Sequence, residues 1–245
     1  MKRVDLYLVP SEADRADFEG RQIVVIDVLR SCTSIATALQ NGAVKVIPVE
    51  TVEEAKRIAG TLDPKSRLLC GERDGKKVSG FDLGNSPREY VRERVEGATL
   101  VFASTNASPV MTGLLGGVEQ RLLAYVNLGA VAEAVRRDGR DLAIVCAGEH
   151  GAFSLEDAAC AGALLSRLQS AGLRPEWNDA AGFAAGFDRD YGHPPEAVLR
   201  RCDHGRYLVS LGFEEDLPVC GAVDSVPVVP QLKEGRITAQ PAPPA

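Results

Sequence analysis

Apolar residues in this chain fall into short unbroken blocks, separated by stretches in which they recur three and four positions apart. The clearest block is Ile23-Val24-Val25-Ile26, four β-branched residues without a polar interruption, the pattern of a strand covered on both faces. Strands are predicted over Val4–Val9, Gln22–Ile26, Lys45–Val49, Arg67–Cys70, Thr99–Ala103, Arg121–Val126 and Asp141–Cys146. Helices are predicted over Ser34–Asn41, Thr51–Ala59, Ser86–Arg94, Pro109–Gly113, Val131–Arg137 and Leu155–Ala171, with two more over Glu196–Cys202 and His204–Leu211. Strand and helix alternate, which predicts an α/β fold of three layers, α/β/α, on a parallel or mixed sheet.

The pattern also repeats. IVVIDVLRSCTSIATAL from Ile23 aligns with TLVFASTNASPVMTGLL from Thr99, 76 positions on. KVIPVETVEEA from Lys45 meets RLLAYVNLGAVAEA from Arg121, and RLLCGERDG from Arg67 meets LAIVCAGEHG from Leu142. Any two α/β units share hydrophobic pattern; matching loop chemistry and length favour two similar halves made by internal duplication. The expected division is 1–96 and 97–180 for the halves, 181–239 for a helical segment that wraps or caps the sheet, and a disordered tail, 240–245. Equivalent halves would place the loops at Asp27 and Thr105 face to face across one cleft.

Composition narrows the function. With 245 residues and a net charge of −6, nucleic acid and membrane surfaces are not the expected partners. No apolar run approaches the roughly 18–20 residues needed to span a bilayer, and the N-terminus does not read as a signal peptide. The six cysteines are far apart and form no CxxC pair, so neither a zinc site nor a disulfide framework is expected, and the cytoplasm is the default location. A homodimer is expected only from the prevalence of symmetric oligomers.

Four polar clusters follow strands or open helices. Asp27 ends the first apolar block, and Arg30, Ser31, Cys32, Thr33 and Ser34 open a helix, where free N–H groups, hydroxyls and a guanidinium suit a phosphate. Asp27 can equally cap that helix or pair with Arg30. Glu72 and Arg73 follow a second strand; Asp82 and Asn85 lie among glycines, ahead of a Ser86-Pro87 helix start. Ser104, Thr105 and Asn106 end a third strand. Glu149 and His150 end a fourth, before Ser154, which with Asp157 reads as a capping box. The turn at Asp27 reads Asp-Val-Leu, not Asp-x-Asp, and the chain has no Cys-x₅-Arg loop, Gly-Lys-Ser/Thr loop or Gly-x-Gly-x-x-Gly. Oxygen ligands from Asp27, Glu72, Asp82 and also Asp157 suit Mg²⁺.

The phrases VVIDVLRSCTSIATAL, GERDGKKVSGFDLGNSP, STNAS, VCAGEHGAFSLEDAACAGAL and HGRYLVSLGFEEDLPVC, in this order from Val24 to about Pro230, resemble the 2-phosphosulfolactate phosphatase family. The resemblance implies a Mg²⁺-dependent acid phosphatase that converts 2-phospho-3-sulfolactate and water into 3-sulfolactate and phosphate, a step towards coenzyme M in methanogens. On that expectation Asp27, Glu72 and Asp82 hold the metal and carry catalysis, Asp27 as ligand or nucleophile. Arg30, Thr33, Ser34 and Asn106 hold the phosphate of a small anionic phosphoester, Arg73, Lys76 or His150 meet its sulfonate and carboxylate, and Asn85, Ser104, Thr105 and Glu149 are further substrate-binding candidates. The third loop departs from the family's usual Thr-Thr-Asn-Gly-Thr-Arg. Ala107 replaces its glycine, where a turn with positive φ would be strained, and Pro109 replaces its arginine. A phosphatase for another small 2-phospho acid, or a non-catalytic anion-binding or regulatory relative, are the alternatives.

Overall fold

The apolar blocks become neighbouring strands of one sheet. The computed structural model describes residues 1–14, 16–114 and 118–240. Its strands are β1 (Arg3–Tyr7), β2 (Gln22–Ile26), β3 (Lys45–Val49), β4 (Arg67–Arg73), β5 (Lys76–Lys77), β6 (Thr99–Ala103), β7 (Gln120–Leu123), β8 (Leu142–Cys146), β9 (Glu176–Trp177), β10 (Val229–Lys233) and β11 (Arg236–Gln240). They lie in the order β5-β4-β6-β3-β11-β10-β7-β2-β8-β1-β9. Two parallel blocks are present: β4, β6 and β3 in one, and β7, β2, β8, β1 and β9 in the other. Between them sits the C-terminal hairpin β10–β11, antiparallel to both neighbours.

Under the 76-residue correspondence, β2, β3 and β4 map onto β6, β7 and β8. The trio β4-β6-β3 then maps onto β8-β2-β7, so each half places its first strand between two strands of the other. The correspondence is one of topology. Because the hairpin is antiparallel to both neighbours, the two blocks run in opposite senses, and a flat sheet would put their carboxyl ends on opposite edges. Sheets are not flat. Each step rotates the next strand by about 20–25°, so the six steps from β2 to β4 rotate it by roughly 120–150°. That curl turns both sets of carboxyl ends toward one space.

Alternation along β2 assigns its faces. Val24 and Ile26 pack with Leu6, Leu123 and Ile144 against the helices Leu128–Asp138, Leu155–Ser170 and Asp179–Tyr191. Ile23 and Val25 pack with Val145 on the other side, together with Ile35 and Leu39 of the helix Ser31–Gln40. That same cluster takes in Val46, Leu100 and Phe102 of the second block, so this helix lies inside the curl. Val49, Val101 and Ala103 pack outward onto Ala55 and Ala59 of the helix Val52–Ala59. Three layers result. Among the described residues no helix is long and apolar enough to cross a membrane, and the six cysteines are buried free thiols.

Several expectations need correction. The helix expected over Ser86–Arg94 is a turn, Pro87–Glu89, and a short helix, Arg92–Val95. It breaks at Tyr90, which is fully buried and donates its hydroxyl to the Gly84 carbonyl at 2.7 Å. In place of Pro109–Gly113 there is a short turn, Ala107–Pro109, followed by a wide π-type turn, Val110–Leu114. The helix Asp179–Tyr191 crosses the expected boundary at 180. The segment expected to wrap the sheet also supplies the hairpin at its centre. Its turn, Glu234-Gly235, has φ of 50° and 73°, the primed geometry that suits a two-residue hairpin. Gln240, assigned to the tail, ends β11, and residues 241–245 lie outside the described residues.

Gly71 is the tightest point between β4 and β6. Its φ is +134°, and a Cβ there would lie 1.9 Å from the Ala103 carbonyl oxygen. Gly71→Ala is expected to cost roughly 3 kcal/mol or more, from overpacking and backbone strain together. A lower urea midpoint at unchanged slope reads this out; an unchanged midpoint contradicts it.

Candidate active site

The carboxyl ends of β2, β4, β6 and β8 meet at one narrow crevice. From the β2 end come Asp27, Arg30 and Ser31, and from the β4 end Glu72, Asp74 and Gly75. Thr105 and Asn106 follow β6, Glu149 and His150 follow β8, and Asn85 and His204 complete the lining. The loops at Asp27 and Thr105 thus share one crevice.

Asp27 is 3% exposed. One carboxylate oxygen accepts the Ser31 N–H at 3.0 Å, and its carbonyl accepts the Cys32 N–H at 3.0 Å, so it does cap the helix Ser31–Gln40. It does not pair with Arg30. Burial pushes the Asp27 carboxyl up to about 6; hydrogen bonds from Ser31 and the charge of His204 pull the other way, and Glu72 adds to the rise. The Leu29–Arg30 peptide that follows is cis.

Glu72 fastens two loops. Its Oε2 accepts the Gly75 N–H at 2.7 Å, closing its own turn. Its Oε1 accepts the Thr105 N–H at 2.7 Å, and the Thr105 hydroxyl donates to Oε2 at 3.2 Å. Across the crevice Glu149 occupies the matching place after β8. Its Oε2 accepts from the Asn106 amide at 3.0 Å and from Nδ1 of His204. The Asn106 Oδ1 in turn accepts the His150 N–H at 2.9 Å. Burial favours a neutral Glu149, but the hydrogen bond and charge of His204, with His150 and Asn106, outweigh it and hold the carboxyl below its usual range. Burial likewise pulls His204 down, yet Glu149, Glu156 and Asp27 together raise it above the ordinary histidine value.

Arg30 is 2% exposed and already engaged. Its guanidinium donates to Asp216 at 2.8 Å and to the Gly75 carbonyl at 2.7 Å, and lies 4.3 Å from the Phe213 ring centroid. Asp216 also accepts the Ser86 hydroxyl at 2.6 Å. The C-terminal segment therefore closes the site with His204, Phe213 and Asp216.

The chain matches the family model described as 2-phosphosulpholactate phosphatase over residues 7–235. It is 40% identical over 235 residues to a probable 2-phosphosulfolactate phosphatase of Thermotoga petrophila, covering 95% of this chain and 96% of the relative. A protein of the same description from Caldanaerobacter subterraneus subsp. tengcongensis is 39% identical over 222 residues, covering 90% and 91%. The chain belongs to the 2-phosphosulfolactate phosphatase family. It is a phosphoric monoester hydrolase by that membership.

Not every residue expected at this phosphatase's site reaches it. Asp82 is exposed and caps the Leu69 N–H at 2.8 Å, so the trio Asp27, Glu72 and Asp82 does not assemble. The Thr33 and Ser34 hydroxyls donate to the carbonyls of Val28 and Asn85, at 2.8 and 2.7 Å. Arg73 donates to the Glu72 and Glu50 carbonyls, and neither it nor Lys76 lines the crevice. The Ser104 hydroxyl is paired with Ser108 at 3.1 Å. Ala107 opens a helical turn without positive φ, so the expected strain is not there. Ser154 caps its helix through the Asp157 N–H, but the Asp157 carboxylate accepts the Val28 and Gly148 N–H groups instead of completing a capping box. Burial, then Glu156 and Asp27, push Asp157 well above the carboxylate range. Ser31, which belongs to the hydroxyl cluster after Asp27, lines the crevice, and so does His204, to which the sequence pattern assigns no role although it opens the phrase HGRYLVSLGFEEDLPVC.

Asp27, Glu72 and Asn85, whose buried Oδ1 has no hydrogen-bond partner, offer only oxygen donors, which fits a hard divalent cation. Among the described residues no three His, Cys, Asp or Glu side chains are gathered to hold an ion by themselves. Such a set suits an ion like Mg²⁺ that keeps waters and takes further oxygens from substrate.

Because Asp27 has a raised value in the folded state, folding favours its protonated form. The metal-free protein is expected to lose stability as pH rises from the unfolded value near 4 through about 6, by on the order of 1–3 kcal/mol. Thermal melts in chelator check this: Asp27→Asn should flatten that part of the profile, and an unchanged profile contradicts the assignment.

Proposed function

We propose that the protein is a Mg²⁺-dependent phosphomonoesterase that hydrolyses 2-phospho-3-sulfolactate to 3-sulfolactate and phosphate. The observation that carries the metal dependence is charge. Asp27, Glu72, Asp74 and Glu149 line the crevice, while its guanidinium, Arg30, is already paired with Asp216 and its shielded imidazole, His204, with Glu149. A dianionic phosphoryl group entering that field is repelled unless a cation accompanies it. Family membership, and the substrate in the relatives' names, support the choice of ester.

Asp27 and Glu72 would hold the ion, with Asn85 Oδ1 as a further donor. Bound there, Mg²⁺ offsets charge on the phosphoryl oxygens and makes water a better nucleophile. Glu72 is fixed by three hydrogen bonds, so its carboxylate needs no reordering when the ion arrives. Ser31, between Asp27 and the Asn85 amide, orients both. His150 stands at the rim with its side chain 55% exposed, placed to meet a carboxylate or sulfonate of the substrate.

A second reading, hydrolysis of another small 2-phospho acid, is favoured by one observation. Among the described residues no unpaired lysine or arginine lines the crevice to receive a sulfonate. Relative kcat/KM on 2-phosphosulfolactate, phospholactate and phosphoglycolate separates the readings.

Phosphate release from 2-phosphosulfolactate is expected with Mg²⁺ and lost in EDTA. Asp27→Asn should lower turnover by roughly a thousandfold or more, at least ~4 kcal/mol in barrier, whether Asp27 acts as ligand or as attacking group. Turnover in EDTA equal to that in Mg²⁺ would overturn the metal dependence; near-wild-type turnover of the variant would remove Asp27 from the mechanism.

A further inference from the structure

Hydrolysis of an alkyl phosphate leaves an alkoxide, a strong base that departs readily only if a proton reaches it as the P–O bond breaks. Asp27 and Glu72 are assigned to the ion under the proposed function, and Arg30 is held by Asp216. Two imidazoles line the crevice, and of these His204 is the one shielded from solvent, 11% exposed against 55% for His150. His204 opens the helix Asp203–Ser210. Its Nδ1 faces the Glu149 carboxylate and lies 3.9 Å from Glu156 Oε1. Its Nε2 has no protein partner among the described residues.

The ring is built in from several sides. Glu149 comes from the end of β8, fixed by the Asn106 amide, and Glu156 from the first turn of the helix Leu155–Ser170. The Tyr207 ring meets His204 edge-on at 6.4 Å, and its hydroxyl donates to the Asp74 carbonyl at 3.0 Å, tying this helix to the turn after β4. The charged and titratable groups facing the ring are therefore Glu149, Glu156, Asp27 and, through Glu149, His150. A carboxylate on Nδ1 fixes the ring with Nε2–H pointing away from it, and favours the imidazolium form.

We propose that His204 is the general acid of the reaction, donating its Nε2 proton to the leaving ester oxygen, and that Glu149 is its positioning residue. The inference rests on the phosphatase reading above. Water oxygen bonds to phosphorus while the bond from phosphorus to the C2 oxygen breaks. The departing oxygen takes the Nε2 proton and leaves as the alcohol. The proton lost by the attacking water restores the imidazolium, so one ester and one water give one alcohol and one phosphate.

Leaving-group dependence tests the role. With Mg²⁺ present, His204→Asn is expected to lower kcat/KM on 2-phosphosulfolactate, or on whichever alkyl ester of the panel wild type cleaves, by about 10²–10⁴-fold. On p-nitrophenyl phosphate, whose phenolate leaves without a proton, the loss should be less than about tenfold. Equal losses on both esters overturn the proposal. Glu149→Gln keeps the test alive should His204→Asn fail to fold. Removing the carboxylate from Nδ1 should move the basic limb of the kcat/KM profile to lower pH, and an unmoved limb overturns the pairing. The phosphatase reading is judged on wild type alone: Mg²⁺-dependent release from no ester of the panel ends that reading and this one together.

Discussion

Negative charge gathered where two half-sheets meet is the constraint on which this structure turns. Asp27, Glu72 and Glu149 are fixed by backbone N–H groups, an asparagine amide and histidine rings rather than by free lysines or arginines. Asp157 and Glu156 lie buried just behind them. Burial raises Asp27, outweighing its hydrogen bonds and the charge of His204, and raises Asp157 with the help of Glu156, so the metal-free fold is strained as pH rises. The same deficit is what a divalent ion, and a phosphoryl group arriving with it, would relieve. Stability given up at these carboxylates is the counterpart of affinity for a cation.

The fold creates this gathering by curling one sheet. The C-terminal hairpin joins two parallel blocks of opposite sense, and accumulated strand twist turns both sets of carboxyl ends inward. Close approach at Gly71 lets β4 lie tight against β6, so that Glu72 reaches the Thr105 N–H. The last third of the chain then closes the crevice: Asp216 takes up Arg30, Phe213 covers the guanidinium, and His204 faces Glu149. The Arg30 guanidinium, which lines the crevice, also bolts the helix Ser31–Gln40 to the C-terminal segment.

What the sequence revealed and what it hid divide along a physical line. Continuous β-branched runs such as Ile23–Ile26 are legible because a strand buried on both faces has no polar alternative, and strand ends bring Asp27, Glu72, Thr105 and Glu149 to one crevice. The hairpin was hidden because Pro230 interrupts its first strand, and Pro is a poor signal of a central strand. The helix Asp179–Tyr191 was hidden because alanines and glycines in DAAGFAAGF blur its apolar period. Asp82 misled because glycine-flanked carboxylates suit both a ligand site and a backbone cap, and here the Leu69 N–H takes it. Thr33, Ser34 and Ser104 misled in the same way, each hydroxyl having a partner close by. His204 could not be placed from spacing, since its partner Glu149 lies 55 residues away and the two meet only through the tertiary fold.

Calorimetric titration of inorganic phosphate into the wild-type protein, with Mg²⁺ and then with chelator, tests the charge constraint most directly. Coupled occupancy predicts that Mg²⁺ tightens phosphate binding at least about tenfold, ~1.4 kcal/mol, with Mg²⁺ bound correspondingly tighter in the presence of phosphate. Phosphate bound equally well without any divalent ion would contradict the account, because the four carboxylates could not then be the barrier that the ion removes.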